Sequence, residues 1–162
     1  MTSVVKEELE RMDDDSLRCA VELSDAAVEV QVYACLVAIM SRGRGYHRVS
    51  EEKLAAASLA NGQVVPTLSS AGALIEALHV MQAKTVSIIC PYMKPLTRLV
   101  VDYIESEGIN VKDYIALEIA DNLKVAAQDP NAPAELWEKL DVKGVDVIVA
   151  SACVQMPSLP SN

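Results

Sequence analysis

Residues 85–108, TVSIICPYMKPLTRLVVDYIESEG, decide the fold class. The first six are almost wholly apolar and rich in β-branched side chains, the pattern of a strand covered on both faces. Pro91 then fixes a turn, and Pro95 suits the first turn of a helix. Leu96, Leu99, Val100, Tyr103 and Ile104 recur at the spacing of one helical face, and Gly108 supplies the stop. A buried strand running directly into an amphipathic helix is the repeating unit of a parallel α/β sheet.

The alternation continues on both sides. Downstream, residues 109–117 read as a strand, a short helical piece follows from Asp121, a second carries Leu136, Trp137 and Leu140, and residues 145–150, VDVIVA, read as the last strand. Upstream, Ser69 or Ser70 caps a helix whose Leu74, Ile75, Leu78 and Met81 share a face, and residues 63–67 read as a short strand. Ser50, followed by Glu51 and Glu52, starts another helix that ends at Asn61-Gly62. Residues 28–34, VEVQVYA, read as a strand that stops at Cys35. Asp13, Asp14 and Asp15 are expected at the start of a further helix, where carboxylates complement the dipole, with a cation site as the alternative. The expected class is α/β, with parallel sheets flanked by helices.

Composition narrows the function. The 162 residues are 51% hydrophobic, enough for a sizeable core and too apolar for a disordered chain. Fourteen basic against 23 acidic side chains give a net charge of −9, and no basic run offers a footprint for nucleic acid or an anionic membrane. No stretch of 18 apolar residues or basic-then-apolar leader occurs, so a cytoplasmic protein with reduced thiols is expected. Four widely spaced cysteines, two histidines and no C-x-x-C give no structural metal site.

Chemistry gathers at two of those cysteines. VQVYAC ending at Cys35 and IVASAC ending at Cys153 share one plan: a β-branched strand, then Ala-Cys, then an apolar residue, Leu36 or Val154. In open α/β sheets ligands bind outside the carboxyl ends of strands, where helix N–H groups stabilise a thiolate or hold a carboxylate. Either cysteine alone reads equally as a small residue filling a tight turn. Two at equivalent strand ends can divide nucleophile and acid/base roles. Cys19, within a helix, and Cys90, before Pro91, read as structural, although Cys90 could also line the cavity wall. Tyr92 offers a hydroxyl at the same sheet edge or packs. Asn122 offers an amide or caps a helix, a role Asp121 fills equally well. Arg42, Arg44, Lys53 and His47 read as a solvated basic cluster, and His79 as structural.

The segments YACLVAIM (33–40), SSAGALIEAL (69–78), CPYMKPL (90–96), EIADN (118–122) and VDVIVASACVQMPSL (145–159) resemble the aspartate/glutamate racemase superfamily and, within it, the maleate isomerases. The resemblance implies two similar Rossmann-like α/β domains with the site in the cleft between them. It implies cofactor-independent cis-trans isomerisation of maleate to fumarate. Cys35 would be the nucleophile that forms a succinyl-cysteine-type adduct and Cys153 the acid/base partner, with no metal. Tyr92, Asn122 and the backbone around Leu36, Val37 and Val154 would hold the dicarboxylate. In that pattern a strand with a Ser-Asn-Thr-like loop comes earlier and further helices follow the second cysteine. The chain is therefore expected to hold the latter part of a first domain, residues 1–66 with Cys35, and most of a second, residues 67–162 with Tyr92, Asn122 and Cys153. Nicotinate breakdown is the implied context, and a homo-oligomer is a possible assembly. A related two-cysteine racemase, an arylmalonate-type decarboxylase and an inactive structural fragment are the competing readings.

Overall fold

The strand at Thr85–Cys90 forms where the sequence is most apolar, and Val86 through Cys90 are all buried. The computed structural model describes residues 4–129 and 135–151. In chain order the elements are α1 (Lys6–Asp25), β1 (Gln31–Tyr33), α2 (Leu36–Met40), α3 (Tyr46–Ala60), β2 (Thr67–Ser69), α4 (Ser70–Val80), β3 (Thr85–Cys90), α5 (Lys94–Ser106), β4 (Asn110–Ala116), α6 (Asn122–Ala126) and β5 (Val147–Ala150), with a 3₁₀ turn at Trp137–Lys139.

Every strand pairing is parallel. β3 lies between β4 and β5, with Thr85 opposite Asn110, Val86 opposite Val147 and one register shift between Val86 and Ser87. β1 and β2 form a second sheet, Gln31 opposite Thr67 and Tyr33 opposite Ser69. The division expected after Pro66 thus falls between two paired strands. The expected strand at 63–67 begins only at Thr67, because Pro66 has no N–H to donate; its carbonyl instead accepts from Gln31 N–H at 3.0 Å. α5 buries Leu96, Val100, Tyr103 and Ile104 as its spacing requires, each worth about 1.5–3 kcal/mol of transfer free energy.

Several expectations about helix starts or exposure are corrected. The acidic triplet lies inside α1, not at its start, because Lys6 through Met12 already form the first turns, with Glu7 and Glu8 in the acidic first-turn positions. Asp13 falls on the buried face with Leu9, Ala20 and Ser24. Arg42 Nε donates to its Oδ2 at 3.0 Å and Tyr46 Oη at 2.6 Å, so a guanidinium, not a metal, neutralises it. Arg42 is accordingly an internal strut, paired also with Asp14, and not a solvated loop residue. α3 begins at Tyr46, four residues before Ser50, after Gly45 in the left-handed region at φ 65°. His79 and Cys19 are exposed on helices instead of packed in the core.

Glu51 braces the next helix and not its own. Its Oε1 accepts from Ser69 N–H at 2.9 Å and Ser69 Oγ–H at 2.6 Å, while Ser69 Oγ accepts from Gly72 N–H at 2.9 Å, making Ser69 the cap of α4. His47 is also buried: its N–H donates to Tyr103 Oη at 3.0 Å, and Nδ1 meets the same hydroxyl, tying α3 to α5.

Two predictions follow from these ties. Arg42→Ala leaves Asp13 buried with one donor. It should cost about 2–3 kcal/mol, just under the roughly 3–5 kcal/mol of a fully buried pair because the guanidinium is partly exposed, as measured by urea denaturation. Burial, helped by Arg48, holds the His47 imidazole below its ordinary value. The unfolded chain therefore takes up that proton first, so this contribution to stability is complete above about pH 6.5 and is lost as pH falls below it. His47→Gln should remove that part of the slope of unfolding free energy between neutral and mildly acidic pH.

Candidate functional site

Among the described residues, the carboxyl ends of the five strands face one cavity of about 310 Å³. Each strand delivers a lining residue just beyond its end: Cys35 after β1, Ser70 after β2, Tyr92 after β3, Asn122 beyond the loop that leaves β4, and Ser151 after β5. Val4, whose N–H donates to Ala120 carbonyl at 3.0 Å, closes one side, and most of the remaining wall is aliphatic. The volume lies at the small end of the about 300–1,000 Å³ typical of small-molecule sites.

Cys35 is half-buried at the N-cap position of α2, with extended dihedrals φ −130° and ψ 93°. The five residues of α2, LVAIM, are apolar and four of them are buried, so packing fixes the helix and with it the thiol. Leu36 and Val37 also line the cavity.

Tyr92 is held by its backbone. Leu117 N–H donates to Cys90 carbonyl at 2.8 Å, Ile119 N–H to Pro91 carbonyl at 3.0 Å and Glu118 N–H to Tyr92 carbonyl at 3.2 Å. Thr97 Oγ1 donates to the same Tyr92 carbonyl at 3.3 Å. Glu118 adopts a left-handed φ of 56° to make its bond, a conformation costly for a side chain with Cβ. An ion pair with Lys94 at 3.3 Å supports it. At α6 the shared capping role resolves to Asp121, whose Oδ1 accepts from Leu123 N–H at 2.8 Å. Asn122 is left as a cavity-lining residue.

The structure thus brings together Cys35, Leu36, Val37, Tyr92 and Asn122. Cys153 and Val154 lie outside the described residues. Cys90 is buried within β3 and is not among the lining residues; burial pushes its thiol up to about 12, only partly offset by the Ser151 hydroxyl. Ser70, read from the sequence only as a possible helix cap, and Ser151, given no role there, also line the cavity, and both immediately follow strands. Among the described residues no three His, Cys, Asp or Glu side chains are grouped to hold a metal ion, and no helix is long and apolar enough to cross a membrane.

Comparison with known proteins gives this arrangement a family context. Maleate isomerase from Pseudomonas putida is 59% identical over 161 residues, 99% of this chain. The chain is similar to the maleate isomerases over nearly its whole length. It spans 64% of the length of that relative. The crystal structure of a cysteine-to-alanine variant of a Pseudomonas putida maleate isomerase with maleate matches with a TM-score of 0.93 and 57% identity, over 98% of this chain and 63% of that one. A cysteine-to-serine variant of Nocardia farcinica maleate cis-trans isomerase, with a covalently bound succinylcysteine intermediate, matches at 0.93 and 42% identity, over 99% and 66%. No family model matches the chain. The parallel α/β fold expected from residues 85–108 is that of these maleate isomerases.

Exposure and burial separate the thiols of the chain. At neutral pH iodoacetamide should alkylate Cys19 and spare Cys90, as read by peptide mass spectrometry. Equal labelling of the two in folded protein would contradict the burial of β3.

Proposed function

We propose that this chain carries out, or forms the larger part of an enzyme that carries out, cofactor-independent cis-trans isomerisation of maleate to fumarate. The observation that carries the reading is the Cys35 thiol on the wall of a cavity shared with Tyr92 and Asn122, in a chain 59% identical to a maleate isomerase.

The obstacle in this reaction is rotation about a carbon–carbon double bond, and a transient covalent bond divides it into steps of lower barrier. The Cys35 thiolate adds to C2 of maleate, the π electrons move to C3, and the Cys153 thiol delivers a proton there. C2–C3 is then a single bond and rotates. The Cys153 thiolate removes a proton from C3, the electron pair re-forms the double bond, the C–S bond breaks, and fumarate leaves with the Cys35 thiolate restored. The succinylcysteine intermediate in the Nocardia farcinica enzyme supports the adduct.

A dianion is a poor electrophile until its charge is offset. The net charge of −9 offers no long-range attraction, so local donors carry that task. Tyr92 Oη, the Asn122 amide and the backbone N–H groups of Leu36, Val37 and Val154 are the donors in this reading. Nucleophile and acid/base are both side chains, so no cofactor or metal enters. The reading extends to a cytoplasmic enzyme, assembled as a homo-oligomer, acting in nicotinate breakdown.

Incubation with maleate should give fumarate by proton NMR and a succinyl-sized mass increment on Cys35. Cys35→Ala should abolish both, and Cys153→Ala should lower turnover by at least about 100-fold, the scale of a lost acid/base group. Fumarate formation unchanged in either variant would refute the paired-thiol mechanism.

A further inference from the structure

Two hydroxyls in the cavity wall have no role in the reaction outlined above. Ser70 and Ser151 both line the cavity, and the Oγ of each is buried with no nitrogen or oxygen hydrogen-bond partner among the described residues. Ser151 as a residue is 5% exposed. Leaving a buried hydroxyl unpaired costs about 1–3 kcal/mol, so such groups are rare in folded proteins and call for a partner.

Their neighbours sharpen the contrast. Ser69, one residue before Ser70, is fully committed: its Oγ donates to Glu51 and accepts from Gly72 N–H. Ser151 is pinned by its backbone, its N–H donating to Ile89 carbonyl at 2.8 Å. Its hydroxyl meets the Cys90 thiol, a weak sulfur partner. Sulfur is a weak acceptor, so a carboxylate oxygen within reach of this hydroxyl takes its proton in preference. A serine hydroxyl has three staggered positions about its one side-chain bond. Ser70 follows the β1–β2 sheet and Ser151 the β4–β3–β5 sheet, so the two stand on walls built by different sheets.

A four-carbon dicarboxylate presents four carboxylate oxygens to a largely aliphatic pocket, and each oxygen left without a donor keeps a desolvation cost. We propose that the Ser70 and Ser151 hydroxyls donate to the carboxylates of the bound substrate, one from each sheet, and so select a dicarboxylate over a monocarboxylate. This rests on the maleate reading above, and it adds two donors to those named there.

The test separates binding from turnover. In a Cys35→Ala background, which cannot form the thioether, maleate affinity is measured by calorimetry, with Ser70→Ala and Ser151→Ala added singly. Each should raise Kd by about 10–100-fold, the worth of a hydrogen bond to a charged group, and should leave the affinity for a monocarboxylate such as crotonate nearly unchanged. Because neither Oγ has a nitrogen or oxygen partner among the described residues, the thermal midpoint should stay close to the parent's, whereas a structural hydroxyl would lower it. Ser70→Thr and Ser151→Thr, which keep the hydroxyl, should restore binding. Maleate binding as tight as the parent in both alanine variants would overturn the serine assignment and leave the maleate reading standing. So would threonine variants as weak as the alanines. No maleate binding in the Cys35→Ala parent would overturn the maleate reading, and the serine assignment with it.

Discussion

The hydrogen-bond ladder around β3 does not stop where the strand does. Beyond Ile89 and Cys90 it continues as Ser151 N–H to Ile89 carbonyl, Leu117 N–H to Cys90 carbonyl, Ile119 N–H to Pro91 carbonyl and Glu118 N–H to Tyr92 carbonyl. These bonds carry the rigidity of a buried parallel sheet into the walls of the cavity. Tyr92 and Ser151 are therefore extensions of the sheet and not loop residues free to drift. Cys35 obtains the same fixity by another route, from the wholly apolar helix α2 beneath it.

This arrangement explains which parts of the molecule were legible in the sequence. β3 and α5 were readable because each satisfies its own period locally: Val86 through Cys90 are buried together, and α5 buries the stripe its spacing dictates. Cys35, Tyr92 and Asn122 could be picked out because they follow such elements. The start of α1 was misread because Asp13 obeys a long-range partner. A carboxylate next to an apolar pattern resembles a helix start, and only the position of Arg42, on a different element, makes it a buried strut. Ser70 and Ser151 carry no signal of their own, since an unpaired hydroxyl is visible only once the atoms around it are counted.

Electrostatics divides along the same lines. Ionised groups are paired in struts away from the cavity: Asp13 with Arg42 between α1 and the turn after α2, and Arg48 with Glu107 between α3 and the end of α5. The cavity itself is lined by aliphatic side chains, a thiol, a phenol, an amide and two hydroxyls. An anion against such a wall would rely on neutral donors and not on a compensating full charge.

The brace between Glu51, Ser69 and Gly72 has a consequence for how the sequence can change. The N-terminal end of α4, beside the cavity, already holds the Glu51 carboxylate through Ser69. A Cβ at position 72 would collide with Glu51 Oε1. A side chain at position 72 therefore requires the Glu51 carboxylate to move away from Ser69, while the Gly72 N–H bond to Ser69 Oγ does not depend on Glu51. The coupling runs one way in heredity: a change at position 51 clears room for a side chain at 72, and a change at 72 comes more readily after it.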